Sequence, residues 1–115
     1  MKDINGQLQY KGKTYKLVFN LNVMETIQEE YGTLAEWGLL TDGINSEPNA
    51  KAVLFGLTAM LNEGIDIENE ENGTNEPFLT KKQVGRILTE VGILDATSAM
   101  HDTVINSTQS AEKNE

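Results

Sequence analysis

The chain has 115 residues, of which 38% are hydrophobic and 23% charged, with a formal net charge of −9 and no cysteine. Its length and ordinary composition indicate one globular domain, and the absence of cysteine excludes disulfides, cysteine nucleophiles and thiolate metal sites. The negative charge disfavours nucleic-acid binding, because such a chain repels the phosphate backbone.

Residues 8–20 predict a β-hairpin. Tyr15, Leu17 and Phe19 alternate with residues on the opposite face, which is the period of a strand with one buried side. Residues 11–13 supply a turn that contains glycine. Since two strands alone are only marginally stable, we expect helices to cover the apolar face of the hairpin.

Two helices are predicted next. The first spans about residues 21–31, with Asn20 or Asn22 as its N-cap. A short second helix holds Trp37 and Leu40, and the segment after it is rich in loop-forming residues.

The strongest helical pattern follows this loop. Ser46 is the predicted N-cap, Pro48 suits the first turn, and Gly64 is the predicted end. The apolar residues between them keep the helical spacing i, i+3, i+4, i+7 and i+11: Ala50, Val53, Leu54, Leu57 and Leu61. Further apolar residues widen this face. We therefore expect the helix to be central in the core or to present a face to a partner.

Residues 65–79 predict a long acidic loop that is mobile or ordered by a partner. Gly73 lies where a calcium-binding loop has its glycine, but Leu79 occupies the position of the twelfth ligand, where such a loop needs glutamate. We therefore expect a solvated loop and no metal site.

Two further helices complete the predicted domain. Thr80 with Gln83 forms the sequence signature of a capping box, and a last helix spans about residues 94–106. The polar residues 107–115 predict a disordered tail. Together the elements indicate an α+β, mostly α, domain over residues 1–106, with an N-terminal β-hairpin packed on a bundle of four to five helices.

Ser98, His101 and Asp102 have the side chains of a hydrolytic triad, but they lie within about one turn of the last predicted helix. His101 and Asp102 are consecutive and diverge by about 100° around the helix axis, so the carboxylate cannot orient the ring as a triad requires. No glycine pattern typical of phosphate binding occurs. We expect neither an enzyme nor a bound cofactor.

The candidate contact residues are apolar. Trp37, Leu39 and Leu40 form the best candidate for an apolar contact patch, and Phe55 and Phe78 are further candidates for binding a partner. Trp37 and Phe55 also have a second interpretation, since large aromatic side chains more often belong to a core.

The cellular location follows from two sequence observations. No N-terminal run has the basic, apolar and small-residue segments of a signal peptide. The longest apolar stretch, around residues 50–61, is too short to span a bilayer. We expect a soluble, cytoplasmic protein that does not bind membranes.

Four stretches carry a family resemblance: the hairpin with Tyr15-Lys16-Leu17 and Phe19-Asn20, the helix end Glu29-Glu30-Tyr31-Gly32, the helix Ala50–Gly64, and Phe78-Leu79-Thr80 leading into Val84-Gly85-Arg86-Ile87-Leu88. In this order they resemble the tail assembly chaperones of long-tailed, siphovirus-type bacteriophages. The resemblance implies a non-enzymatic protein of the host cytoplasm that is absent from the mature virion. Such a protein keeps the tape measure protein soluble and helps recruit tail tube subunits.

Many members of this family also exist in a longer form, made by a −1 ribosomal frameshift, whose added domain is thought to recruit tube subunits. Glu112-Lys113-Asn114 is compatible with a slippery site, if the codons are GAA, AAA and AAC or AAT. The resemblance therefore implies tail tube protein as a second partner, through such a longer form. The sequence leaves open whether copies of the chain form a homo-oligomer.

A different class of function remains open at this point. An acidic protein can mimic nucleic acid and inhibit a phage or host DNA-binding protein. Such an inhibitor predicts salt-sensitive binding to a basic partner, whereas a chaperone that binds through apolar contacts predicts binding that tolerates salt.

Overall fold

The computed structural model describes residues 6–44 and 46–113. Within these ranges, an antiparallel hairpin is followed by five helices: β1 (Gln7–Tyr10), β2 (Lys13–Lys16), α1 (Leu21–Tyr31), α2 (Leu34–Thr41), α3 (Ala50–Asn72), α4 (Lys81–Val91) and α5 (Ile93–Lys113). The predicted α+β, mostly α, architecture with an N-terminal hairpin is confirmed.

The hairpin forms where the sequence predicts it, although β2 ends at Lys16 and not at the predicted residue 20. Lys11 and Gly12 form a two-residue turn with φ angles of 52° and 77°, and such turns match the twist of the strands they connect. Leu17 and Phe19 are buried, as is Leu8 on the first strand. The predicted alternation is therefore confirmed, and the hairpin packs its apolar face on the helices.

Helix α3 is the centre of the core, as predicted, and it packs against all four other helices and against β2 of the hairpin. Its buried residues are Ala52, Val53, Gly56, Leu57, Met60, Leu61 and Gly64. Leu54, which the periodicity also assigns to this face, is only partly buried. The deepest part of α3 therefore centres on Leu57 and Leu61.

The predicted bounds of α3 were wrong at both ends. Its N-cap is Asn49, whose side chain accepts a hydrogen bond from the Ala52 N–H at 3.0 Å, so Ser46 and Pro48 precede the helix. Gly64 does not end the helix, which continues to Asn72 and stops at Gly73 with a left-handed φ of 67°. Residues 65–72 of the predicted loop are therefore helical.

Gly64 has a packing role instead of a capping role. A Cβ at this position would lie 3.0 Å from the carbonyl oxygen of Lys16 on β2. The missing side chain thus allows the hairpin to approach α3 closely, which is a known use of glycine inside a regular element.

Residues 74–79, here called the return segment, run back along α3 and are held there by two asparagine side chains. Asn62 donates to the Leu79 carbonyl at 3.0 Å and accepts from the Leu79 N–H at 2.8 Å. Asn69 binds both backbone groups of Glu76 in the same way, at 3.1 and 3.0 Å. Residues 74–79 are therefore a loop, as predicted, and these four hydrogen bonds attach it to α3.

Helix α4 agrees with the prediction at both ends, whereas α5 begins near its predicted start and ends later than predicted. Thr80 and Gln83 form the predicted capping box, with both reciprocal hydrogen bonds present. Helix α5 begins at Ile93 and runs to Lys113, beyond the predicted end at residue 106. The helix therefore extends over residues 107–113 of the predicted tail, which contain no glycine or proline to stop it. Residues 114 and 115 lie outside the described residues.

Candidate functional site

The end of α2 and the loop after it expose large aliphatic side chains. Leu39 is 57% exposed, Leu40 is 39% exposed and Ile44 is 81% exposed. The Ile44 N–H donates to the Asp42 carboxylate at 2.9 Å, and the Asn49 N–H donates to the Leu40 carbonyl at 2.7 Å. These bonds fix the backbone that carries the three side chains, which we call the apolar corner (Leu39, Leu40 and Ile44).

Trp37 does not belong to this surface, and its assignment as a contact residue was wrong. Its side chain is 1% exposed and its indole N–H donates to the Ala52 carbonyl of α3 at 3.0 Å. A buried indole with a satisfied N–H is a core residue. Leu39 and Leu40, which the sequence grouped with Trp37, are at the surface as expected.

The two phenylalanines of the predicted contact set have different environments. Phe55 is partly buried and packs edge-on against Tyr31, with ring centroids 5.6 Å apart. Phe78 is 54% exposed and borders a shallow groove of about 200 Å³ between α1 and α3. The five candidate residues therefore do not form one patch, and only Leu39, Leu40 and Phe78 are well exposed.

His101 makes a specific contact that connects α5 to α2. Its Nε2 atom lies 2.8 Å from the Thr41 hydroxyl oxygen, and this hydroxyl also lies 3.1 Å from the Trp37 carbonyl. Because a hydroxyl has one proton, a Thr41 that donates to the Trp37 carbonyl accepts from the His101 Nε2–H. This arrangement selects the neutral tautomer that carries its proton on Nε2.

The electrostatic environment of His101 favours its neutral form. Burial lowers the pKa of the imidazole, and the nearby carboxylates of Asp42 and Asp102 only partly oppose this by raising it. Ser98 is exposed, and the ring nitrogen binds Thr41. The structure therefore does not bring Ser98, His101 and Asp102 together as a hydrolytic triad.

A second concave surface lies between β2, α3 and the return segment, and we call it the β2 groove. Its volume is about 330 Å³, and it is lined by all four residues of β2, by α3 from residue 61 to residue 72, and by the return segment. Two ion pairs cross it, Lys13 to Glu76 at 4.0 Å and Lys16 to Glu68 at 3.6 Å. Sequence reasoning missed this groove, because it exists only if α3 continues past Gly64 and the return segment folds back.

Residues 6–44 and 46–113 contain no group of three or more histidine, aspartate or glutamate side chains placed to hold a metal ion. No helix among them combines the length and the apolar character needed to cross a membrane. Comparisons of the chain with protein-family models, curated proteins and solved structures gave no match. The candidate sites are therefore the apolar corner and the β2 groove.

Proposed function

We propose that this protein is a bacteriophage tail assembly chaperone that binds helical segments of the tape measure protein and keeps them soluble during tail assembly. The observation that carries the proposal is the apolar corner, which presents three large aliphatic side chains on a small acidic domain. A tape measure protein is a very long helical chain whose apolar stripes are liable to aggregate before the tail tube encloses it.

The size of the corner fits transient binding to such stripes. Burying a fully exposed leucine or isoleucine contributes about 1.5–3 kcal/mol, and the three side chains of the corner are exposed to different degrees. One corner therefore supports a weak contact, and several copies along one tape measure would bind more strongly through multivalency. Weak contacts suit a chaperone that must later be displaced.

The charge of the domain supports the proposal that the protein keeps the tape measure protein soluble. The net charge of −9 opposes self-association of a complex that carries apolar segments. Many of the acidic residues are placed on the second half of α3 and on the return segment: Glu63, Asp66, Glu68, Glu70, Glu71 and Glu76. The same proposal includes a location in the host cytoplasm, recruitment of tail tube subunits through a longer form, and absence from the mature virion.

The test is co-expression with a fragment of the tape measure protein that the proposal assigns as the partner. The Leu39→Ser/Ile44→Ser double variant should lose most of the solubilisation of the fragment. The control is Leu94→Ser on α5, which replaces a leucine outside the corner whose exposure of 68% lies between those of Leu39 and Ile44, and it should leave solubilisation unchanged. If the double variant solubilises the fragment as well as the parent protein does, the apolar corner is not the binding surface.

Salt dependence separates this function from the acidic inhibitor that mimics nucleic acid. A complex held by apolar contacts should survive about 0.5 M salt, at which surface charges are strongly screened. A complex with a basic protein that dissociates under these conditions would favour the inhibitor.

A further inference from the structure

The outer edge of β2 is directed toward α3 and away from β1. The Leu17 N–H donates to the Gly6 carbonyl at 2.9 Å, which continues the ladder of the hairpin, whereas the Val18 N–H donates to the Met60 carbonyl of α3 at 3.3 Å. Successive residues of an antiparallel strand direct their backbone groups to opposite edges. Thr14 and Lys16 therefore direct their N–H and C=O groups to the same side as Val18.

Thr14 and Lys16 are both lining residues of the β2 groove. At one end of the groove, Gly64 allows the Lys16 carbonyl to lie against α3. Toward the turn, the opposite wall of the groove is the return segment, not a paired strand. Within residues 6–44 and 46–113, the N–H groups of Thr14 and Lys16 have no backbone partner. The groove thus contains an unpaired strand edge with two donors and the Thr14 carbonyl as acceptor.

The side chains around the edge define the chemistry of a ligand. Ile65 and Leu79 are partly buried and supply an apolar floor, and Glu68 and Glu76 stand at the rim. The ion pairs of these two glutamates with the lysines of β2 are solvent-exposed and therefore contribute little to stability. The charged lining is balanced, since Lys13 and Lys16 pair with Glu76 and Glu68. The acidic excess lies beside it on the second half of α3, in a domain with a net charge of −9, and it attracts a cationic segment whose basic side chains replace the lysines in these pairs.

We propose that the β2 groove binds an extended polypeptide segment of a partner, with alternating apolar and basic side chains, which pairs with Thr14 and Lys16 as a third strand. Main-chain hydrogen bonds to an exposed edge supply affinity in this mode of recognition, and the side-chain pockets supply specificity. The four residues of β2 offer an edge of about 13 Å, at roughly 3.3 Å per residue. The groove volume of about 330 Å³ lies at the lower end of the range for ligand pockets. This site is separate from the apolar corner and does not depend on the proposed chaperone function.

The probe for this site is the peptide acetyl-Lys-Val-Lys-Val-Lys-amide, titrated into the ¹⁵N-labelled full chain. We expect saturable binding with a dissociation constant below about 1 mM, together with slower hydrogen exchange of the Thr14 and Lys16 amides. A peptide with glutamate in place of lysine should not bind. The same lysine peptide, N-methylated at the residues that would pair with β2, should bind roughly tenfold more weakly because it loses the backbone hydrogen bonds.

A pair of variants tests the edge itself. Thr14→Pro removes an outward N–H without removing a bond to β1, and an edge strand tolerates proline there. Gln9→Pro is the matched control, since Gln9 lies opposite Thr14 and directs its N–H to the other edge of the hairpin. Only Thr14→Pro should weaken binding of the lysine peptide. If the parent chain does not bind the peptide, or binds the N-methylated form equally well, the proposal is wrong whether or not the variants fold.

Discussion

The indole of Trp37 packs directly on the backbone of Gly56. A Cβ at Gly56 would overlap the Cζ2 atom of Trp37 and would lie 3.0 Å from its Cε2 atom. Glycine inside a helix costs about 1 kcal/mol relative to alanine, so its presence in the middle of α3 needs a reason. The reason is that the indole occupies the volume of the missing side chain.

The first prediction follows from this contact. Gly56→Ala should destabilise the domain by about 1–3 kcal/mol through overpacking, although alanine is the better helix former. The matched control is Gly85→Ala in α4, where the nearest atom to the new Cβ is the Leu54 Cδ2 at 3.9 Å. This control should stabilise the domain by about 0.5–1 kcal/mol. Urea unfolding of both variants measures the difference, and stabilisation by both would contradict the packing of Trp37 on Gly56.

The sequence could predict features that depend on neighbouring residues, but not features that depend on contacts between distant ones. The capping box at Thr80 was predictable because its signals are local. Gly64 was read as a helix end because a C′ glycine and a glycine that admits a neighbouring backbone look alike in one sequence. The sequence left open whether Trp37 is a contact residue or a core residue. The packing of its indole on Gly56 of α3 decides for the core. The β2 groove was unpredictable for the same reason, since it depends on contacts between distant residues.

The second prediction concerns the return segment. Asn62→Ala removes the only side chain that pairs with both backbone groups of Leu79 in the described structure, leaving a partly buried N–H and C=O without these partners. Because unsatisfied backbone groups are costly, we expect a loss of about 1–3 kcal/mol and faster hydrogen exchange at the Leu79 amide. Asn69→Ala should have a smaller effect on stability, since its partner Glu76 is exposed. Equal exchange rates at Leu79 in the parent and in the Asn62 variant would contradict this role.

The third prediction concerns the pH dependence of stability. Burial lowers the pKa of His101 in the folded state below the value of about 6.5 expected in the unfolded chain. The unfolded chain therefore binds a proton more readily, and the stability associated with the neutral ring is present above about pH 6.5 and decreases as the pH falls through that value. His101→Gln keeps an N–H donor for Thr41 but does not titrate.

The measurement is the difference in free energy of unfolding between the parent and the His101→Gln variant, followed from about pH 7.5 to about pH 5.5. Because both proteins contain the same carboxylates, their titration largely cancels in this difference. The advantage of the parent should shrink on acidification. An advantage that is constant or grows would mean that the fold does not disfavour the charged ring.

The fourth prediction separates the core position Trp37 from the apolar corner next to it in the sequence. Trp37→Ala should cost about 3–5 kcal/mol, because it leaves a cavity beside Gly56 and removes the hydrogen bond to the Ala52 carbonyl. Ile44→Ala should change stability by less than about 0.5 kcal/mol, since its side chain is 81% exposed. In binding assays with the tape measure fragment, the order of the effects should reverse. At a temperature where circular dichroism shows the Trp37 variant to be folded, that variant should still bind, while the Ile44 variant binds more weakly. Binding that is lost in the folded Trp37 variant and retained in the Ile44 variant would place the contact surface elsewhere on the domain.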